Sequence, residues 1–217
     1  MLLSHAPAFI FLHVDKAAGS SIQDALAQYA EPRRNSRPRR KLVWLGSLNR
    51  IAHLYRALEF PEHVTANTIR RCLPADVYAA AFKFAFVRNP YDRLVSLYEF
   101  LRNNVRHRDH RRVMRMKGFE EFIHWEIRRN RMKQHHYVTD AKGNLIVDFV
   151  GRYEQLHRDF ASVCSRLGLA AQLAIMDFSG RPDYRTYYTP QTRALVGRCC
   201  AYDLELFGYD FDGQRTI

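Results

Sequence analysis

The chain has 217 residues, 47% of them hydrophobic and 13% aromatic, which suits one well-cored globular domain over residues 1–217 and is short for two. Its formal net charge of +12 points to a polyanionic partner such as a nucleotide, a charged glycan, nucleic acid or an anionic membrane. The four cysteines, Cys72, Cys164, Cys199 and Cys200, make no C-x-x-C pair, which argues against a disulfide framework and fits a reducing compartment.

At the amino end, MLLSHAP lacks the charged head and cleavage site of a signal peptide. The following AFIFLHV is far shorter than the ~20 apolar residues of a membrane span, so the expectation is a soluble, cytoplasmic protein. Ala8–Val14 reads as a buried strand bounded by Pro7 and a turn over 15–21, with IQDALAQYA helical after it. A basic, proline-containing linker follows (EPRRNSRPRRK), then a weaker strand (LVWLG) and a helix over Arg50–Leu58 that Pro61 ends. A short helix spans Thr65–Cys72, a strand Ala81–Val87 and an amphipathic helix Pro90–Asn103. Asn89 is placed to cap that last helix, and Pro90 sits where a first-turn N–H has no partner anyway.

Residues 102–117 have little apolar periodicity and read as loop, and GFEEFIHWEIRRN as helix. Asn144–Val150 reads as a strand, QLHRDFASVCSRLG as a helix ended by Gly168, and Thr189-Pro190 as the start of one helix through QTRALVGRCCAYDLELFGY. Strands alternating with helices predict an α/β fold with a mostly parallel central sheet flanked by helices.

Two segments carry chemistry. In FIFLHVDKAAGSSIQDAL a strand runs through Lys16, Gly19, Ser20 and Ser21 into a helix, so small residues let backbone N–H groups close on an anion and the lysine adds a full charge. In FKFAFVRNPYDRLVSLYEFLR, Arg88 stands at a strand end beside a positive helix terminus, and Ser96 lies toward the polar side of the helix. Each segment alone fits either an anion site or an ordinary strand-to-helix corner. Two such cradles at the carboxyl ends of strands in one sheet imply a ligand with two phosphate groups. In the first segment Lys16 precedes the lone glycine, unlike the Gly-Lys closure of a Walker A loop, which weighs against a nucleotide kinase.

The stretch H-V-D-K-A-A-G-S-S resembles the 5′-phosphosulfate loop, and F-V-R-N-P-Y-D-R-L-V-S-L-Y the 3′-phosphate motif, of carbohydrate-type sulfotransferases (sulfotransferase family 2) that use 3′-phosphoadenosine 5′-phosphosulfate, PAPS. The resemblance extends to 148–156 (D-F-V-G-R-Y-E-Q-L) and to the tail from Tyr184 through Asp203, Leu204, Phe207, Gly208 and Tyr209. It implies a three-layer fold like that of P-loop NTPases. It also implies that Lys16 with the backbone of Ala18, Gly19, Ser20 and Ser21 holds the 5′-phosphosulfate, and that Arg88 and Ser96 hold the 3′-phosphate. Where the family loop has Pro before the lysine and Thr after it, this chain has Asp15 and Ala17. Asp15 is expected to turn from the phosphate or pair with a base.

Transfer to a hydroxyl needs a general base, and neutral imidazole suits that near pH 7. His63, in E-H-V-T-A-N-T-I-R-R-C-L, resembles the histidine-bearing segment of related enzymes and is the expected base; His13 is expected to line or support the site. His107 with His110 and His135 with His136 lack the carboxylates and spacing of a metal centre, so no metal is expected. The sequence therefore reads as a sulfotransferase that moves the sulfuryl group of PAPS to a carbohydrate or glycolipid hydroxyl, releasing 3′,5′-ADP. Half of the 34 basic residues lie in 33–41 and 102–133, which fits either a rim for an anionic or polyhydroxylated acceptor or a solvated face. A nucleic-acid or polyanion-binding module and a P-loop-type nucleotide kinase are the alternatives. No nucleic-acid partner is expected, and oligomeric state is left open.

Overall fold

The computed structural model describes residues 1–30, 60–174 and 182–214, and among these a four-stranded sheet draws strands from both halves of the chain. Strand β1 (Leu2–His5) pairs antiparallel with β2 (Ala8–Leu12), which runs parallel to β3 (Phe82–Val87), and β3 parallel to β4 (Phe149–Arg152). Every residue of β3 is buried, as expected for a central parallel strand covered on both faces. Phe11 faces Phe84 in register, their rings 5.2 Å apart, and such aromatic cross-strand pairs add to simple burial.

Helices α1 (Gly19–Leu26), α2 (Ala66–Cys72) and α3 (Ala75–Ala80) precede β3 in the chain. Helix α4 (Pro90–Asn103) follows it, then α5 (His110–Val113), α6 (Phe119–Arg129) and α7 (His135–Val138). After β4 come α8 (Leu156–Leu167), α9 (Pro190–Cys199), α10 (Ala201–Phe207) and a hairpin of β5 (Tyr209–Asp210) with β6 (Gly213–Gln214). The chain divides into two compact units, one of Met1–Val87 with His136–Ile175, the other of Arg88–His135 with Met176–Ile217. The first holds the sheet with α1, α2, α3 and α8. The second is built on α4, α6, α9 and α10.

Several elements fall where the sequence places them. Helix α4 has the expected bounds; Asn89 accepts from Tyr91 N at 3.0 Å, and the apolar face of Tyr91, Leu94, Val95, Tyr98 and Leu101 is buried. Thr65 caps α2 by accepting from Thr68 N. Thr189 caps α9 in a reciprocal capping box with Thr192, each such cap being worth about 1 kcal/mol.

Other elements differ. LLSH forms strand β1, at one end of the described sheet, which its four residues and the nearby Pro7 disguise in the sequence. The strand expected at 144–150 begins only at Phe149. Before it, Asp148 clamps β3: its carboxylate accepts from Lys83 N at 2.8 Å and pairs with Lys83 Nζ at 2.9 Å, and its own N–H donates to Lys83 O. The buried ammonium of Lys83 also donates to Ala81 O and Tyr78 O, so a charge inside a central strand is fully met. The expected single C-terminal helix breaks at Cys200, where ψ of 17° interrupts it. The bonds from Cys200 N to Val196 O and Leu204 N to Cys200 O carry the ladder through that joint. The loop expected over 102–117 contains the one-turn α5, with His110 Nδ1 bonded to Leu101 O at 2.9 Å. Ala75–Ala80, between the expected helix and strand, carries no assignment from the sequence and forms the helix α3. The basic linker, the strand LVWLG and the helix Arg50–Leu58 lie outside the described residues.

Candidate functional site

In the first unit, β2 delivers His13 and Val14 into a tight turn before α1. The amide of Ala17 donates to Val14 O at 3.4 Å, and both Lys16 (φ 61°) and Ala18 (φ 62°) adopt the left-handed backbone. For residues with a Cβ this conformation costs roughly 1–2 kcal/mol each, and such strain gathers where backbone is shaped for a ligand. Alternation of hand turns successive N–H groups toward one concavity that suits an anion. Ala18 stands at the N-cap of α1 without a side-chain cap, and the first turn carries no acid, so the positive end of the helix dipole is left uncompensated by either device. The structure thus gathers the predicted Lys16, Ala18, Gly19, Ser20 and Ser21 into one helix-start loop.

Gly19 has a steric reason to be glycine. A Cβ there would stand 1.9 Å from Cδ2 and 2.0 Å from Nε2 of His13, so the imidazole forms the floor on which the loop lies. His13 is buried, and its Nδ1 lies 3.1 Å from the Glu62 carboxylate, at ion-pairing distance but without hydrogen-bond alignment. Burial, then the neighbouring His63 ring, lower its pKa to about 4 against weaker opposing pulls from Glu62 and Asp15. His13 is therefore a neutral ring at physiological pH.

His63 is exposed and anchored to the same strand end. Its Nδ1 lies 3.2 Å from His13 O, and the two rings meet edge to face at 4.8 Å. A carbonyl oxygen only accepts, so Nδ1 carries the proton and the neutral ring keeps its lone pair on Nε2. Backbone and ring together orient the histidine that the sequence offers as base.

In the second unit, Arg88 is almost wholly buried and Nε donates to Asp92 Oδ2 at 2.6 Å. Ser96 is half-buried one helical turn beyond Asp92, on the same face of α4. Asn89 donates to Asp210 O at 2.8 Å while capping α4, tying the helix start to β5. Three supporting residues escape the sequence reading. Asp92 was detectable as the i+4 acid after an arginine. Gln134, which holds the Arg88 backbone, and Asp203, which holds Gln134, have no local signature of these roles, because their partners are distant in sequence.

A cavity of about 510 Å³ in this unit is lined by Arg108, Arg111, Arg112, Arg115 and Arg128, with Trp125 and Met116 beside them and Glu121 as its one acid. Nearby, Arg129 packs 4.1 Å over the Trp125 ring and pairs with Glu126 and Asp109, so it is already engaged. Among the described residues, no group of three or more His, Cys, Asp or Glu is arranged to hold a metal ion, and no helix is long and apolar enough to cross a membrane.

The sequence model described as "Sulfotransferase family" matches residues 1–210, which include residues of both units. No curated protein matches the chain in sequence. Among solved structures, the chain is similar to mouse sulfotransferase SULT7A1 complexed with PAP, at 14% identity and a TM-score of 0.51, over 91% of this chain and 84% of that one. That likeness extends to the α/β fold with its mostly parallel sheet.

Proposed function

The chain belongs to the sulfotransferase family, and from that premise we propose that it transfers the sulfuryl group of PAPS to a hydroxyl of a carbohydrate or glycolipid acceptor. The observation that carries this reading is the loop 15–21, with two left-handed residues, an uncapped helix start and Lys16, standing next to an exposed histidine of defined tautomer. The whole chain, 1–217, acts as one sulfotransferase domain in this reading.

Lys16 and the N–H groups from Ala18 to Ser21 hold the 5′-phosphosulfate. Arg88 and Ser96 hold the 3′-phosphate that distinguishes PAPS from ordinary adenine nucleotides. His63 Nε2 takes the proton as the acceptor oxygen bonds to sulfur. The bond from sulfur to the bridging phosphate oxygen breaks, and 3′,5′-ADP leaves with the negative charge that Lys16 and the loop donors stabilise. No step in this sequence requires a metal ion.

The arginine-lined cavity supports an acceptor that already carries carboxylate or sulfate groups, since its lining holds five arginines and one acid. A concave site of this volume suits a few sugar units. The test is transfer of labelled sulfate from PAPS with purified protein across neutral and anionic glycans and glycolipids. Transfer to one acceptor class that is abolished by Lys16→Ala supports the reading. Saturable binding of nucleic acid with no preference for 3′,5′-ADP, and no transfer to any hydroxyl, would overturn it.

A further inference from the structure

We infer that Gln134 and Asp203 are positioning residues for nucleotide selection: a buried strut that holds Arg88 in place and so sets the preference for a 3′-phosphate. This deepens the reading above and rests on it. Arg88 lies in the short connection between β3 and α4, whose backbone groups have no ladder to join. Its amide and carbonyl are met by a single side chain. Arg88 N donates to Gln134 Oε1 at 3.0 Å, and Gln134 Nε2 donates to Arg88 O at 2.7 Å. A carboxamide both accepts and donates in this planar, two-point fashion without any change of protonation, so it acts here as a substitute strand residue.

Gln134 is itself fixed from behind. It is fully buried, and its N–H donates to Asp203 Oδ2 at 2.6 Å. Asp203, also fully buried, accepts at Oδ1 from His135 N at 2.9 Å and pairs there with His135 Nδ1. A buried carboxylate with three N–H donors is stable only as a completed network. The chain Asp203–Gln134–Arg88 thus joins α10, the segment before α7 and the corner that opens α4. Asp92 takes Nε of the same arginine, so backbone and side chain of Arg88 are constrained independently. Holding a guanidinium in place before its anion arrives lowers the ordering cost of binding.

The test compares affinities for 3′,5′-ADP and AMP, which differ only in the 3′-phosphate, by calorimetry on the full chain. Arg88→Ala is the reference and is expected to lower the preference for 3′,5′-ADP by ~10–100-fold, the range for charge-assisted bonds. Gln134→Leu is expected to lower the same preference by at least ~10-fold while AMP affinity stays within about twofold. Should the Leu variant not fold, Gln134→Glu serves, because a protonated carboxyl restores both bonds and an ionised one only accepts. Its preference is then expected to recover as the pH is lowered, a response that a merely weakened fold would not give. Loss of preference in Arg88→Ala with full retention in the Gln134 variants would overturn the strut. Retention in Arg88→Ala itself would overturn the assignment of Arg88 to the 3′-phosphate, and the strut with it.

Discussion

Lys16 and Gly19 share one turn of backbone, with the His13 ring beneath it and His63, 50 residues further on, bonded to the His13 carbonyl. In the proposed reaction the Lys16 ammonium stabilises charge as the phosphate leaves, so Lys16→Ala is expected to lower turnover by ~10²–10³-fold with the fold intact by circular dichroism. His63→Ala is expected to cost ~10²–10⁴-fold in turnover, with the binding of 3′,5′-ADP little changed. Gly19→Ala forces a methyl into the His13 ring; the ring or the loop must move, at about 1–3 kcal/mol, and the KM for PAPS is expected to rise. His13 also makes stability depend on pH. Burial, and next the His63 ring, hold its pKa at about 4, below the ordinary 6.5. The unfolded chain therefore takes up a proton across that interval which the folded chain refuses. The contribution is complete above about 6.5 and is lost as the pH falls toward about 4. Urea unfolding followed across this range should show a slope that His13→Gln flattens.

At the scale of elements, α4 shows how local signals and distant contacts share one residue. Asn89 caps the helix through Oδ1 and uses its amide to hold Asp210 O. Asn89→Asp keeps an acceptor for Tyr91 N and loses the donor to Asp210. Asn89→Ala loses both and is expected to destabilise by about 2 kcal/mol in equilibrium unfolding, with the Asp variant in between. The bounds of α4 were legible because Asn-Pro before an apolar face at helical spacing is a local code. Strand β4 was misread at its start for the opposite reason. The apolar run at 145–147 resembles a strand, yet pairing begins only after Asp148 has clamped Lys83, a contact 65 residues away. The break at Cys200 likewise has no marker of the kind that Gly or Pro would supply.

For the molecule as a whole, the charge of +12 and the arginine-lined cavity predict that acceptor binding weakens with ionic strength more steeply than nucleotide binding. An acceptor held by several exposed guanidinium groups is screened within a Debye length of about 8–10 Å, whereas Arg88 is buried. Raising salt from 50 to 300 mM should therefore increase the KM of an anionic acceptor several-fold more than that of PAPS, each measured at saturating partner. Arg111→Ala combined with Arg115→Ala should raise KM for that acceptor and leave a neutral one unaffected.

By itself the sequence determined the alternation of strands and helices, the starts of α4 and α9, and the two strand-to-helix corners at Lys16 and Arg88, because each is encoded by residues within a few positions of one another. Only the tertiary structure decided that Lys16 and Ala18 take the left-handed backbone, that His13 lies under Gly19, and that His63 carries its proton on Nδ1. The partners of Lys83 and Arg88 also emerged only there. A buried charge or strained turn persists when groups far along the chain satisfy it, and those pairings leave no periodicity for a linear reading to detect.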